Sequence, residues 1–307
     1  MINVGLFVDK GARSNGWAAW IGMLEGSPEL RPVYLDGAAI RAGALRGVDA
    51  LAVPGGNSNV QGRSLGAEGR AELKAWIAGG GRYIGTCGGC SLLLNYFDEH
   101  LHILPFMRHK DSDNRGNVDA VSVRVTDRGE SLTGIKAGAH DVCYHSSPLL
   151  VPCGETTDTR FEVIGSWDGD YVREGARSLS MRGLPALICA WHGKGKIFAA
   201  TGHPEYYPFS RDIIAGGFRF ITGVSPAFGK QPRSPGAKAV GFYTPSVGGI
   251  DDAEQYAALW RDPSVDVVPL MNDDIAAGRL DHIDELVIPK GDPSQLAAMP
   301  QAVAERV

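Results

Sequence analysis

Hydrophobic residues fall into short runs, separated by longer stretches in which apolar and polar positions recur at helical spacing. Four short apolar runs have the composition of strands buried on both faces of a sheet, namely residues 4–8, 31–35, 49–53 and 82–86. Between them, residues 17–24 and 68–77 have the spacing of amphipathic helices. Alternating strands and helices predict βαβ units, and therefore an α/β fold with a parallel sheet flanked by helices.

The middle of the chain has a different pattern and is followed by a closing helix. Residues 118–125 alternate apolar and polar positions, as a strand with one exposed face does. Further strands are predicted at residues 161–167, 187–191 and 196–201. A helix is predicted over residues 211–221 and ends at Gly223. Residues 224–238 contain three prolines and form a predicted linker, so the first domain is expected to span residues 1–223.

The segment after the linker resembles the start of the chain. Residues 28–56 align without a gap on residues 263–291. The alignment pairs identical residues at several positions, among them Val33 with Val268, Gly43 with Gly278, Asp49 with Asp284 and Pro54 with Pro289. Residues 239–307 are therefore interpreted as a partial repeat of the N-terminal half-domain. The alternative is that any two βαβ segments share such a pattern.

This C-terminal half-repeat has neither the chemistry nor the size of the first domain. It contains no cysteine, and Lys290 takes the place of Gly55, so we expect it to be non-catalytic. About three strands give a core that is too small to be stable by itself. We therefore expect the half-repeat to dock on the first domain or on a second copy of the chain, which would make the protein a homo-oligomer.

Composition and charge exclude several classes of protein. The 307 residues carry a formal net charge of −5 without a run of like charges, so there is no basic footprint of a nucleic-acid partner. No apolar run is long enough to cross a membrane, and the chain starts on a predicted strand without a leader pattern, so a cytoplasmic location is expected. The five cysteines are scattered and show no disulfide framework.

The strongest chemical signal is the sequence Gly85-Thr86-Cys87-Gly88-Gly89, which lies between an apolar strand and an apolar stretch. It matches a nucleophile elbow with cysteine in place of serine, a turn so sharp that the residues beside the nucleophile must be small. Such a turn places the sulfur at a helix N-terminus, where N–H groups favour the thiolate, and leaves the Gly88 N–H for an oxyanion. Alternatively, Cys87 is a small buried residue in a glycine-rich turn.

Two other motifs provide partners for this cysteine. In Thr201-Gly202-His203-Pro204-Glu205, His203 is a candidate base and Glu205 a candidate acceptor that orients its ring. In Val53-Pro54-Gly55-Gly56-Asn57, the glycines allow close approach of a ligand, and a backbone N–H there is a candidate second oxyanion donor. An ordinary turn is the alternative for the second motif. Cys87 and Cys90 have the spacing of a redox or zinc pair, but no second pair accompanies them, so neither a metal nor a cofactor is predicted.

In chain order, the Pro-Gly-Gly loop, the cysteine elbow and the downstream His-Pro-Glu motif resemble the class I glutamine-amidotransferase-like superfamily. The resemblance covers roughly residues 2–222. Within that superfamily the chain is most similar to the N-terminal domain of biotin-protein ligases, on the evidence of Gly-Gly-Asn after the loop, the elbow itself and Tyr144 before Pro148. The resemblance implies an amidotransferase-like, flavodoxin-like sheet. It also implies Cys87 as the nucleophile, His203 as the base and Glu205 as its partner.

The same resemblance implies the remaining site residues. Gly56 and Gly88 would donate to the oxyanion, and Gly55, Asn57, Tyr144 and His145 would line the substrate pocket. For His145, a position in a surface loop is the alternative.

One departure from the superfamily bears on the substrate. Glutaminase domains have the pattern Cys-x-Gly-x-Gln, whereas Ser91 stands at the glutamine position here, which disfavours glutamine as the substrate. The sequence then favours a cysteine hydrolase or amidase that acts on a small amide, peptide or ester through an acyl-thioester. Two alternatives are a non-catalytic binding or regulatory module that retains the fold, and a redox or aldehyde-scavenging use of the same thiolate.

Overall fold

A computed structural model describes residues 1–12, 15–109, 118–154, 158–170, 180–244, 249–289 and 301. Lys290 and Gly291 of the predicted repeat therefore lie outside the described residues. Within the described residues, nine strands form one sheet, called the large sheet, and three C-terminal strands form another, called the small sheet. A short antiparallel pair, β5 (Phe106–Arg108) and β8 (Leu150–Pro152), lies apart from both.

The large sheet has a parallel half and an antiparallel half. The parallel half is, in spatial order, β2 (Leu30–Leu35), β1 (Ile2–Phe7), β3 (Ala50–Val53), β4 (Arg82–Thr86) and β11 (Gly195–Ala200). The antiparallel half continues with β10 (Pro185–His192), β9 (Thr159–Trp167), β6 (Val118–Val125) and β7 (Gly138–His145). The predicted α/β class with a parallel, helix-flanked sheet is confirmed, and the antiparallel extension is an addition to it.

Helices cover both faces of the parallel half. They are α1 (Asn15–Glu25), α2 (Gly37–Arg41), α3 (Ser58–Ala78), the single turn α4 (Gly88–Ser91) and α6 (Arg211–Thr222). A further helix, α5 (Asp127–Thr133), packs against α6 and against β9 of the antiparallel half. Neighbouring residues of one strand point to opposite faces: Leu6 packs in a core with Trp20 of α1, whereas Phe7 packs in a second core with Leu73 of α3. Both faces are therefore apolar, which explains the continuous hydrophobic runs of these strands.

The small sheet consists of three parallel strands in the order β13 (Val265–Leu270), β12 (Lys238–Tyr243) and β14 (Glu285–Val287). Two helices connect them, α7 (Ile250–Arg261) and α8 (Asn272–Ala276). We call residues 238–289 the C-terminal unit. Only part of the predicted half-repeat, which reaches residue 307, is thus described.

The C-terminal unit packs against α1 through aromatic side chains. The rings of Phe242 and Tyr256 lie 6.2 and 5.4 Å from the ring of Trp17. Trp260 approaches so closely that a Cβ on Gly22 would lie 3.1 Å from its Nε1. Buried residues of this unit belong to the same apolar cluster as α1 and the large sheet, so the two parts share one core.

The segment between the two parts, residues 224–237, contains neither helix nor strand and is held at both ends. The Gly229 N–H donates to the Gly26 carbonyl, at 2.9 Å, next to the end of α1. Further on, the Gln231 side chain donates to the Val265 carbonyl, at 3.0 Å, and the Ser234 N–H donates to the Pro263 carbonyl, at 2.7 Å. These contacts fix the segment on the first part and on the C-terminal unit at once.

None of the helices among the described residues is both long and apolar enough to span a bilayer.

Candidate active site

Cys87 lies at the turn between β4 and α4, in a backbone conformation that is unusual for a side chain. Its φ is 47° and its ψ is −102°, and a positive φ is strained for a residue with a Cβ. The Cys87 N–H donates to the carbonyl of Ala200 at the end of β11, at 2.9 Å, which ties the turn to the neighbouring strand. The side chain is 6 % exposed. The predicted elbow geometry is thus present at this position.

The glycines around Cys87 are required by close backbone contacts. A Cβ on Gly85 would lie 2.7 Å from the carbonyl carbon of Gly89, on the far side of the turn. A Cβ on Gly88 would lie 2.7 Å from the Gly56 nitrogen, and one on Gly89 would collide with the Val53 carbonyl. Distances below 3.0 Å are essentially never found for real Cβ atoms. Only glycine therefore lets the elbow press against the loop after β3.

His203 reaches Cys87 from the end of β11. Its N–H donates to the Cys143 carbonyl on β7, at 2.8 Å, so the peptide that carries the imidazole is held between two strands. The ring lies directly over Gly55, where a Cβ would collide with its Cε1 atom. A Cβ on Gly55 would also lie 3.3 Å from the Cys87 Cβ, so the two side chains are neighbours, and the interaction with His203 lowers the pKa of the thiol. The structure therefore brings together the two side chains that the sequence places 116 positions apart.

Behind the imidazole lies a buried chain of hydrogen bonds. His203 Nδ1 is 2.9 Å from Glu205 Oε1, which leaves Nε2 as the nitrogen available to the thiol. Glu205 Oε1 also accepts from the Thr86 hydroxyl at 2.9 Å, and the Thr86 oxygen accepts from the Trp20 indole N–H at 3.4 Å. His203 and Glu205 are 2 % and 0 % exposed. A base whose ring is fixed by a carboxylate is the arrangement of a Cys-His-acid triad.

The electrostatics of the pair favour thiolate and imidazolium. Burial by itself raises the pKa of the Cys87 thiol. The charge of His203, its hydrogen bond and the N–H of Gly56 lower the pKa by a larger amount, so it lies below its usual value of 9.0. Burial lowers the pKa of His203, yet Tyr206, Cys87 and Glu205 together hold it well above its usual value. Each partner thus stabilises the charged form of the other.

The helix after the elbow is a single turn. α4 spans only Gly88–Ser91, and the chain then leaves the helix in tight turns. A single turn has a small macrodipole, because the dipole is the sum of aligned peptide units. The thiolate therefore depends on His203 and the Gly56 N–H rather than on a long helix. Gly88 opens α4, and its N–H belongs to the first turn, where helix N–H groups have no intrahelical acceptor.

The loop after β3 provides one donor at the sulfur and one helix cap. Gly56, with a φ of 135°, points its N–H at the Cys87 thiol. The side chain of Gln61 donates to the Pro54 carbonyl, at 3.0 Å, and braces the loop from below. Asn57 is exposed and caps α3, since its side chain accepts from the N–H groups of Asn59 and Val60. Asn57 is thus placed as a helix cap and Gly55 lies against the His203 ring, and their predicted substrate contacts stay predictions.

Tyr144 and His145, adjacent on β7, point to opposite faces of the sheet. Tyr144 is 1 % exposed, packs edge-on against Trp167 and donates its hydroxyl to the Ser147 carbonyl, so it belongs to the core and not to a pocket. His145 lies 5.8 Å from the His203 ring, centroid to centroid. Of the two predicted pocket residues, the structure places only His145 near the site.

Tyr206 is a site residue that motif reasoning missed. Its ring stacks on His203 at 4.3 Å with an interplanar angle of 26°, and it lies 6.2 Å from the His145 ring. The only signal in the sequence is its position directly after His203-Pro204-Glu205. Stacking covers one face of the imidazole and favours the protonated ring.

The other cysteines lack this environment. Cys90, Cys143 and Cys189 are fully buried in the core, and burial raises the pKa of the Cys90 and Cys189 thiols well above their usual value. Cys153 is partly exposed, and its pKa is also raised by burial. Among the described residues, no group of three or more His, Cys, Asp or Glu side chains is arranged to hold a metal ion.

Comparisons with known proteins agree with this architecture. No protein-family model matches the chain, and no curated protein matches it either. Among solved structures, it is similar to PurLQS from Thermotoga maritima, with a TM-score of 0.50 and 14% identity over 72% of this chain and 99% of that one. It is also similar to a ThuA-like protein from Bacteroides uniformis, with a TM-score of 0.52 and 10% identity over 73% of this chain and 94% of that one. At such identities the likeness concerns the fold alone: the chain has the class I glutamine-amidotransferase-like fold.

Proposed function

We propose that the protein is a cysteine-nucleophile hydrolase of the amidase type, which acts on a small amide, peptide or ester through an acyl-thioester. The observation that carries this proposal is the buried line of Cys87, His203 and Glu205, in which the pKa of the thiol is lowered and that of the imidazole is raised. Structural ion pairs also shift pKa values, but they do not require a cysteine on a strained elbow between glycines.

In the first half of the reaction, the Cys87 thiolate attacks the substrate carbonyl carbon and forms a C–S bond. The carbonyl π electrons move to oxygen, and the N–H groups of Gly56 and Gly88 are the proposed donors to this oxyanion. The tetrahedral intermediate then collapses, and the bond from carbon to the leaving amine or alcohol breaks. His203 gives its Nε2 proton to that leaving group, and the acyl-thioester remains on Cys87.

In the second half, water releases the acyl group. Neutral His203 accepts a proton from the water as its oxygen attacks the thioester carbon, and the C–S bond breaks to regenerate thiolate and imidazolium. Glu205 holds the ring in place during both transfers, and Thr86 holds Glu205. An amine in place of water would make the same steps an acyl transfer.

The substrate differs from that of a glutaminase. This part of the proposal rests on Ser91, which occupies the position at which glutaminase domains have glutamine. We also propose that the chain is of the biotin-protein-ligase N-terminal type. This assignment depends on the Gly-Gly-Asn and Gly-Thr-Cys-Gly-Gly motifs and on Tyr144 before Pro148.

Selective alkylation tests the proposed nucleophile. With limiting iodoacetamide at neutral pH, we expect Cys87 to be labelled at least about tenfold faster than any other cysteine, because its pKa is lowered whereas burial raises those of Cys90, Cys153 and Cys189. Peptide mass spectrometry locates the label. Cys87→Ala should abolish the fast phase, while Cys153→Ala, which removes the partly exposed thiol, should leave it unchanged.

If all five cysteines react slowly and at similar rates, the proposed enzyme is wrong, and the fold would serve binding instead. A redox use of the thiolate is separated by His203→Gln. Acyl transfer requires the imidazole, whereas turnover that survives this substitution would favour the redox alternative.

A further inference from the structure

A cavity of about 790 Å³ lies between the first part of the molecule and the C-terminal unit. One wall comes from α1 and from the segment after Glu205, including Tyr206 and Arg211. The opposite wall comes from α7 and β13 of the C-terminal unit, and residues 229–233 of the connecting segment close one side. A volume of this size accommodates a small organic molecule.

The cavity carries an excess of positive charge. Four cations line it, Arg211, Lys230, Arg233 and Arg279, against one carboxylate, Asp274. Arg279 pairs with Asp274 at 3.0 Å, and Arg233 pairs with Asp266 beside the cavity. Among the described residues, Arg211 and Lys230 have no carboxylate partner. Within the part of the chain that the structure describes, two of the four cations that line the cavity thus lack a compensating carboxylate.

Arg211 is the more unusual of the two. It is the first residue of α6 and is only partly exposed, and its Nε atom is buried without a hydrogen-bond partner among the described residues. Burial lowers the pKa of the guanidinium, with no acceptor to offset the cost. A buried donor without a partner is costly, and guanidinium remains charged in proteins. An anion in the cavity would satisfy this group.

The same cavity reaches two residues that flank the proposed base, although Cys87 and His203 themselves do not line it. His145 and Tyr206 line it, and both contact the imidazole of His203, with centroid distances of 5.8 and 4.3 Å. A ligand whose charged end lies between Arg211 and Lys230 would therefore extend toward the His203 side of the cavity. Charge recognition in the cavity would thus take place next to the side chains that flank the proposed base.

We propose that this cavity binds an oxyanion group, a carboxylate or a phosphate, of the acyl substrate, held by Arg211 and Lys230. The C-terminal unit supplies the far wall of the site and thereby sets the length of the substrate. This inference rests on the proposed function and adds to it the class of substrate, an amide or ester that also carries a negative charge. Arg211 is the expected main determinant, because a planar guanidinium binds both oxygens of such a group.

Binding of simple probes tests the anion site directly. Glutarate, glutaramide and inorganic phosphate are titrated into the full chain by calorimetry at constant ionic strength. We expect glutarate or phosphate to bind, and glutaramide, the neutral isostere of glutarate, not to bind. The stronger of the two anions identifies a carboxylate or a phosphate substrate. Arg211→Met should weaken the binding about tenfold or more, since a charge-assisted pair is lost, and Lys230→Met should weaken it less.

Arg219→Met is the matched control for Arg211→Met. It lies on the same helix, is exposed and is remote from the cavity, so binding should be unchanged. Thermal unfolding of each variant shows whether it is folded. Should Arg211→Met be unstable, Arg211→Lys retains the charge without the planar fork, and an intermediate affinity is expected.

Protection of Cys87 connects the site to the chemistry. Saturating concentrations of the bound anion should slow iodoacetamide labelling of Cys87 in the original chain and should do so much less in Arg211→Met. Equal affinity for glutarate and glutaramide, or unchanged affinity in both variants, would overturn the anion site. Binding without protection would overturn its assignment to the substrate. In either case, fast labelling of Cys87 without anion would leave the proposed nucleophile intact, so the two proposals fail separately.

Discussion

The strands β1–β3 and the strands β12–β14 are built alike but end differently. Each set is parallel with the first strand in the middle, in the orders β2-β1-β3 and β13-β12-β14. Asp49 accepts from the Asn3 N–H at 2.9 Å, and Asp284 accepts from the Ala239 N–H at 2.8 Å. Gly43 and Gly278, at equivalent turns, have φ values of 86° and 79°. A common origin of the two segments stays a prediction from the sequence alignment.

The two sets differ in the part of the chain that comes after the third strand. After β3, the chain forms the Gly55-Gly56 loop and proceeds through α3 to β4 and the elbow. After β14, the continuously described part of the chain reaches Pro289, and the sequence beyond it contains no cysteine. β3 is wholly buried inside the large sheet, whereas β14 is an edge strand with partly exposed residues. Three strands of this kind thus provide a framework, and the chemistry requires the two strands, β4 and β11, that only the first set has beside it.

The largest expected effect concerns the region that has the chemistry. In His203→Gln, the cation and its hydrogen bond to the thiol are lost while the burial remains, so the pKa of Cys87 should rise from below 9.0 to above it. Alkylation requires the thiolate, so the midpoint of its pH–rate profile should move to higher pH. Each unit of the shift lowers the rate at pH 7 about tenfold. Stopped assays with iodoacetamide between about pH 5 and 10 measure this profile.

His145→Gln is the control for that experiment, because it removes an imidazole centred 5.8 Å from the His203 ring and leaves His203 itself in place. Its profile should coincide with that of the original chain. An unchanged midpoint in His203→Gln would show that the thiolate does not depend on this histidine, and the contrast between the two regions would lose its chemical basis.

A smaller effect is expected at the contact between the C-terminal unit and α1. Tyr256 is buried between Phe242 and Trp17, and truncation of a large buried aromatic side chain costs about 3–5 kcal/mol. In Tyr256→Ala, we expect a loss of this order in the free energy of unfolding, with faster proteolysis in residues 224–237, while Cys87 remains reactive. Urea denaturation and limited digestion measure the two quantities.

Phe209→Ala is the control, since the side chain is 58 % exposed and its loss should change stability by less than about 0.5 kcal/mol. If Tyr256→Ala were as stable as the original chain, the shared aromatic core would not hold the C-terminal unit in place. Loss of Cys87 labelling in that variant would show that the first region depends on the second for its site.

The smallest effect compares equivalent carboxylates. Asp49→Ala and Asp284→Ala each remove one acceptor for a backbone N–H at an exposed position, so each should lower the free energy of unfolding by about 0.5–1.5 kcal/mol. Similar losses in the two variants, measured by urea denaturation, would sharpen the structural equivalence. A loss in one variant alone would break it.

Much of the fold is encoded in the hydrophobic pattern of single segments. The predicted strands at residues 82–86 and 118–125 coincide with β4 and β6, because each has a compact apolar or alternating run between clear breaks. The closing helix ends at Gly223 as predicted, where the backbone is left-handed with a φ of 84°. The antiparallel order of β6, β7, β9 and β10 depends on pairing between distant segments, which no local pattern contains.

The site divides in the same way. Cys87, its glycines and the His-Pro-Glu motif are local signals with a physical reason, and they are adjacent in the structure. Trp20 and Thr86 are 66 positions apart, and Thr86 and Glu205 are 119 apart, so their hydrogen bonds require the complete sheet. Whether Tyr144 or His145 points toward the site depends on the face of β7 to which each side chain points. That face is set by the register of the strand rather than by the type of residue.

The backbone angle of Cys87 has a consequence for the history of this sequence. At a φ of 47°, glycine has less backbone strain than any residue with a side chain, so the native state would be more stable with Gly at this position. A lineage freed from the need for a thiol would therefore drift toward glycine. A cysteine at this angle is therefore expected only where a thiol is needed, as the proposed nucleophile would be, in spite of its cost in stability.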